Sequence, residues 1–93
     1  MTMVPHATRT SFRRLLLRKG IDMPPVRELT LRVNLHFRHY TPTFQLRWRD
    51  SQGKRHMAVY CFCGSHPHLE VDHKELPTAE LELRMYGMYK EKE

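Results

Sequence analysis

The clearest pattern in the chain is a strict alternation of apolar and polar residues from Leu29 to Arg38. Leu29, Leu31, Val33, Leu35 and Phe37 alternate with Thr30, Arg32, Asn34, His36 and Arg38. Successive side chains of an extended backbone project to opposite faces, so this pattern predicts a long strand with one buried face. Tyr40-Thr41-Pro42-Thr43 supplies a turn, after which Phe44, Leu46 and Trp48 alternate with Gln45, Arg47 and Arg49 in a second strand. Asp50-Ser51-Gln52-Gly53 has the residues of a hairpin loop. A third strand is expected from Arg55 to Cys63, with Met57, Val59, Cys61 and Cys63 on its buried face and His56, Ala58, Tyr60 and Phe62 on the other.

Helical spacing brackets these strands. Thr10 or Ser11 can cap a helix in which Phe12, Leu15 and Leu16 form an apolar stripe widened by Leu17, and Gly20 ends it. Residues 1–9 carry no periodic pattern and read as a flexible arm ahead of a single domain over 10–93. Met23-Pro24-Pro25 is a linker, because neither proline can continue a helix. Beyond the third strand, Gly64-Ser65-His66-Pro67-His68 is expected as an exposed loop, and Leu69-Glu70-Val71-Asp72 as a short edge strand. From Thr78 to about Lys90 both periods fit: a helix would align Leu81, Met85, Met88 and Tyr89, a strand Ala79, Leu81, Leu83 and Met85. Ala79, Glu80, Leu81, Glu82, Leu83, Arg84 and Met85 are strong helix formers, which favours helix. The expected fold is α+β, a small antiparallel meander of three or four strands with an N-terminal and a C-terminal helix covering one face.

Charge sharpens this picture. The 93 residues carry a net charge of +6, but it is unevenly spread. Residues 1–58 hold 12 Lys/Arg against 3 Asp/Glu, and residues 59–93 hold 4 against 7. On the strands the cations are almost all arginine, which binds phosphate and carboxylate bidentately. Arg32 and Arg38 from the first strand and Arg47 and Arg49 from the second would share one sheet face, with His36, His56 and Tyr60 able to join. Arg13 and Arg14 sit in the first helical turn, where the helix dipole disfavours cations, and Arg18 in the last. Together these seven arginines are the candidate partner-binding residues, suited to an acidic protein surface or a nucleic-acid backbone.

Candidate chemistry elsewhere is sparse. Cys61, Cys63, His66 and His68, with His73 nearby, are zinc-ligand types. Structural zinc sites usually separate paired cysteines by two or more residues, and Cys61 and Cys63 continue the expected buried face of Met57 and Val59. Core packing of the cysteines is therefore favoured over zinc, and no cofactor is expected. A Cys63–His66 nucleophilic pair lacks a cleft, and no phosphate loop or acid pair is visible, so an enzyme is not expected. Pro67 stands out in its polar loop, where an X-Pro bond can be presented to a prolyl isomerase. No apolar run is long enough to span a bilayer, and residues 1–10 lack a signal core, which points to the cytoplasm.

The run Arg9-Thr10-Ser11-Phe12-Arg13-Arg14-Leu15-Leu16-Leu17, the length and the Gly64-Ser65-His66-Pro67-His68 segment resemble the anti-RecBCD accessory recombination proteins of lambdoid phages, the second of the two Abc types. That resemblance implies a protein that docks on the host RecBCD helicase–nuclease, favouring phage recombination over destruction of DNA ends. It also implies contact with a host prolyl isomerase, for which Pro67 is the best-placed residue. Inhibitors that mimic DNA are acidic, so a basic chain would work by contacting acidic protein surface or bound DNA instead. A small basic DNA- or RNA-binding module and a zinc-stabilised interaction domain are the alternatives that the residues leave open.

Overall fold

The computed structural model describes residues 3–35, 42–63 and 66–91, with Met3, Leu35, Pro42, Phe62, Cys63 and His66 described by backbone alone. In chain order the elements are β1 (Met3–Pro5), α1 (Arg9–Arg18), a 3-10 turn (Val26–Glu28), β2 (Thr30–Leu35), β3 (Pro42–Arg49), β4 (Arg55–Cys63), β5 (His66–Val71), β6 (Lys74–Glu75), α2 (Glu80–Met85) and β7 (Tyr89–Glu91). Strands β2 to β6 form one antiparallel meander in sequence order, and β1 pairs with β7 in a separate two-stranded ribbon. The fold is thus α+β with antiparallel strands, as the alternation predicts, but the meander has five strands.

Both helices lie on the same side of the meander. α1 starts at Thr8, whose hydroxyl accepts from the Ser11 amide at 3.0 Å while the Ser11 hydroxyl accepts from the Thr8 amide at 2.8 Å. This reciprocal cap satisfies two of the helix's orphan N–H groups and starts the helix earlier than the Thr10 or Ser11 cap expected. Its Phe12, Leu15 and Leu16 are fully buried against the sheet. Met3, Val4 and Pro5, expected within an arm, pair with Glu91, Lys90 and Tyr89. A segment this short has no periodicity of its own, so its strand character comes from its distant partner.

The ladder overturns one expectation outright. Phe44, Leu46 and Trp48 of β3 lie opposite Tyr60, Ala58 and His56 of β4, and opposite residues in an antiparallel pair share a face. Ala58 and Tyr60 are completely buried, while Met57, Val59 and Cys61 are only half-buried. The buried face of β4 is therefore the reverse of the one expected. Both faces of this strand are apolar enough to satisfy the pattern, and the larger ring of Tyr60 takes the interior.

Tyr60 joins four parts of the structure. Its ring stacks on Phe44 with centroids 5.7 Å apart and meets the edge of Phe12 at 6.4 Å. Its hydroxyl donates to the Met88 carbonyl at 2.8 Å, and the same oxygen accepts from the His6 amide at 3.0 Å. Burial, more than any neighbour, raises the phenol's pKa far above its ordinary value, so Tyr60 is a permanent donor.

The closing segment departs from a single helix. α2 spans six residues, Gly87 follows with φ +75°, and β7 begins at Tyr89. A left-handed glycine ends a helix cheaply, and the Met88 amide then donates to the Leu83 carbonyl at 2.8 Å. Leu83 and Met88 are buried, whereas Leu81 and Met85 of the expected stripe are 68% and 70% exposed. The expected edge strand is also reassigned: residues 69–71 belong to β5, which lies between β4 and β6, and Asp72 begins the turn that follows.

Removing the Tyr60 hydroxyl tests its role. Tyr60→Phe should lower unfolding free energy by about 1 kcal/mol, because the Met88 carbonyl keeps its bond from His6. Tyr60→Ala should cost about 3–5 kcal/mol through the cavity it leaves. Urea titration of the two variants checks both values.

Candidate functional site

With the helices on one side, the other face of the meander is open, and the register fixes what it displays. One row across the sheet reads Arg32, Gln45, Val59, Glu70 and Glu75. The next reads Thr30, Arg47 and Met57, and at the end of β3 and β4 Arg49 lies opposite Arg55. Arg32, Arg47, Arg49 and Arg55 are exposed, and among the described residues none of them forms an ion pair. Among the described residues Arg47 reaches only the Gln45 side-chain oxygen, at 3.4 Å. Two like charges directly opposed across a ladder destabilise it, so Arg49 and Arg55 are not explained by stability.

The candidate arginines therefore separate into two groups. Arg32, Arg47 and Arg49 share the open face, as alternation implies. Arg14 and Arg18 are exposed on the side of α1 turned away from the sheet, and Arg13 Nε donates to the Pro24 carbonyl at 2.7 Å, tying the helix to the linker. Arg13 is a structural residue here. Arg38 and His36 lie outside the described residues, and Arg55 joins the open face although the sequence reading did not select it. His56 and Tyr60 are on the opposite, buried face, so neither contributes to the basic surface.

At the end of the sheet a cleft of about 860 Å³ is lined from both faces, by Arg47, Arg49 and Arg55 of the open face and by Trp48 and His56 of the core face. Two of its lining residues, His56 and Asp72, form a three-residue clasp with Asp50. His56 Nε2 lies 2.8 Å from Asp50 Oδ2 and its Nδ1 lies 2.7 Å from Asp72 Oδ2. Carboxylates accept and do not donate, so satisfying both contacts requires both ring nitrogens to carry protons. The imidazolium also stacks on Trp48, with centroids 5.6 Å apart, a favourable place for a cation. Asp50 Oδ1 accepts from the Gln52 and Lys54 amides, and Asp72 Oδ1 from the Met57 amide. The clasp thus fastens the β3–β4 hairpin to the β5–β6 turn, where Asp72 and His73 have φ of 50° and 68°.

The segment expected as an exposed loop is different. Gly64 and Ser65 lie outside the described residues. His66, Pro67 and His68 belong to β5, where Pro67 is opposite Phe62 and half-buried. Proline lacks an N–H and is tolerated where a strand has no neighbour on that side; β6 pairs with β5 only at Glu70 and Val71. Pro67 is therefore not held on a free loop. The same ladder sets Cys61 opposite His68 and Cys63 opposite His66. Cys61 is on the open face, so its expected place in the core is corrected. Among the described side chains no group of three His, Cys, Asp or Glu could hold a metal ion, and those of Cys63 and His66 fall outside that set.

Comparison with protein-family models, curated proteins and solved structures finds no match to this chain. Among the described residues, no helix is long and apolar enough to cross a membrane.

The clasp has a pH signature. Hydrogen bonding to Asp50 first, and to Asp72 second, raises the pKa of His56 above its ordinary 6.5. His56 depresses both carboxylates in turn; for Asp72 its bond and that of the Met57 amide together outweigh the desolvation opposing them. A raised histidine contributes stability fully below 6.5, and that contribution fades as pH climbs through the folded-state value. The carboxylates contribute above their ordinary 3.8 and lose that contribution as pH falls through their lowered values. The clasp should therefore hold best between about 4 and 6.5, and melting temperature should fall on the alkaline side of that window. Burial lowers the pKa of His6, which pulls the other way, so the test is the difference between wild type and His56→Gln. That difference should be largest in the window and shrink above it.

Proposed function

We propose that this chain is a cytoplasmic binding protein that docks through the open face of its main sheet on a nucleic-acid-processing enzyme and changes that enzyme's behaviour. The observation that carries this reading is the division of the face. Four arginines without an acidic partner among the described residues occupy the β2–β4 part, Glu70 and Glu75 occupy the β5–β6 part, and half-buried Met57 and Val59 lie between them. Apolar surface framed by charge of both signs suits a protein contact: burial drives association, and the charges set orientation and reject wrong partners.

A direct nucleic-acid contact fits this face less well. Binding single strands relies on aromatic side chains that stack bases, and Phe44, Trp48 and Tyr60 all point into the core. Binding a duplex backbone relies on one sign of charge, and the glutamates break it. Catalysis at the cleft is also disfavoured, since both nitrogens of His56 are committed to carboxylates and its proton is not poised for transfer. The RecBCD helicase–nuclease is the partner implied by the sequence resemblance, and the partner's identity rests on that resemblance. The chemistry of contact rests on the face.

Charge reversal separates binding from folding. Capture of purified RecBCD by the immobilised chain should weaken about tenfold or more in the Arg47→Glu/Arg49→Glu variant. Its melting temperature should not fall, because Arg49→Glu replaces a like-charge pair opposite Arg55 with an attractive one worth roughly 0.2–1 kcal/mol. Unchanged capture would contradict the reading. So would tight, steeply salt-dependent binding of the wild-type chain to naked DNA.

A further inference from the structure

The cleft at the end of the sheet gathers cations that folding does not use, and we infer that it binds the phosphate group of a small phosphate monoester. Arg47, Arg49, Lys54 and Arg55 line it, and all four are exposed. Among the described residues none of them has an ion-pair partner. Arg49 lies opposite Arg55, and Arg47 is two residues away on the same strand. Opposite Cα atoms of an antiparallel ladder are about 4.5–5.5 Å apart and same-face neighbours about 6.5–7 Å apart. Three arginines therefore share one small patch of one face. Like charges so placed repel, and an anion held between them turns that repulsion into attraction.

The charge count points to a dianion. Two acids line the cleft, Glu28 and Asp72. Asp72 is already engaged, with one oxygen 2.7 Å from His56 Nδ1 and the other accepting from the Met57 amide at 3.0 Å. Taking the clasp as a unit, Arg47, Arg49, Lys54, Arg55 and the His56 imidazolium stand against Glu28, Asp50 and Asp72, five charges to three, which leaves +2. A phosphate monoester carries about −1.5 to −2 at neutral pH. It also offers three acceptor oxygens, enough for more than one guanidinium fork, whereas a carboxylate has a single two-oxygen edge that one fork fills. The cleft, at about 860 Å³, exceeds what a lone phosphate needs and falls within the roughly 300–1,000 Å³ of small-molecule sites. Thr30 and half-buried Met57 line the remainder, a polar and an apolar contact for the organic part.

The backbone under these cations is fixed before any ligand arrives. The Asp50 amide donates to the Lys54 carbonyl at 2.9 Å, and the Lys54 amide donates to Asp50 Oδ1 at 2.9 Å, closing the loop that delivers Lys54 and Arg55. The bonds of His56 to Asp50 and Asp72 then hold that hairpin against the β5–β6 turn. A site ordered in advance has less freedom to lose on binding. Arg47 and Arg49 also belong to the proposed docking face, but this inference does not rest on that reading. It concerns the purified chain with small molecules, so either can fail while the other stands.

Trp48 is the chain's single tryptophan and lines the cleft, so its fluorescence reports occupancy. Titration of the full chain with AMP or with glucose 6-phosphate should give a saturable change at one ligand per chain, and adenosine and glucose should give none. Tighter AMP identifies a nucleotide as the source of the phosphate, and tighter glucose 6-phosphate a sugar ester; either order supports the site. Succinate, a dianion built from carboxylates, should bind about tenfold more weakly or worse. Arg49→Gln and Arg55→Gln should each weaken the tighter phosphate about tenfold, and Arg55→Lys should recover only part of that, because an ammonium keeps the charge without the fork. Neither glutamine variant should melt below wild type, since each removes a repulsion, and this separates a lost ligand contact from lost folding. Saturating ligand should raise the melting temperature of wild type and not of the double glutamine variant. Absence of saturable binding by both phosphates at millimolar concentration would overturn the site. Succinate binding as tightly as the phosphates, or unchanged affinity in the double variant, would do the same.

Discussion

The structure depends on the burial of one phenol ring. Tyr60 is wholly enclosed, and its ring and hydroxyl together touch α1 through Phe12, β3 through Phe44 and the chain end through Met88. A buried hydroxyl without a partner is costly, so the ring can occupy the core only if the backbone near Met88 comes to meet it. That requirement positions the segment after α2, and the His6 amide shares the same carbonyl where β1 and β7 run together. Side-chain alternation carries the consequence across the sheet. With Tyr60 inside, Met57, Val59 and Cys61 are turned outward, and the open face acquires its apolar centre.

Period and charge in the sequence reveal part of this. Alternation from Leu29 to Trp48 gives β2 and β3 with their arginines on the open face, because each strand there has one plainly polar side. β4 has no polar side: Met57, Val59 and Cys61 compete with Ala58, Tyr60 and Phe62, and only pairing with β3 decides between them. The C-terminal segment fails for a related reason, since a stripe of Leu81 and Met85 says nothing about the left-handed Gly87 that ends the helix. The ribbon of β1 and β7 is invisible because three-residue strands have no period.

The clasp and the β4–β5 pairing elude sequence reading for different causes. Asp50, His56 and Asp72 have no fixed spacing, and the β5–β6 turn that delivers Asp72 uses Asp-His in the left-handed region, a pairing with little turn signature. The one available clue is that His56 interrupts the apolar side of β4. Cys61, Cys63, His66 and His68 are conspicuous as residue types, yet a loop assignment for 64–68 hides their pairing. The ladder sets Cys61 opposite His68.

The proposed docking face stands on which way β4 faces, and the reactivity of Cys61 measures this most directly. In a Cys63→Ser chain treated with chelator, Cys61 is the single thiol, and a thiol-specific reagent reports its access under native conditions. An outward Cys61 reacts at a rate proportional to reagent concentration and insensitive to low urea. A Cys61 packed in the core would react only as fast as the chain opens, with a rate that climbs steeply with urea, and that result would contradict the account.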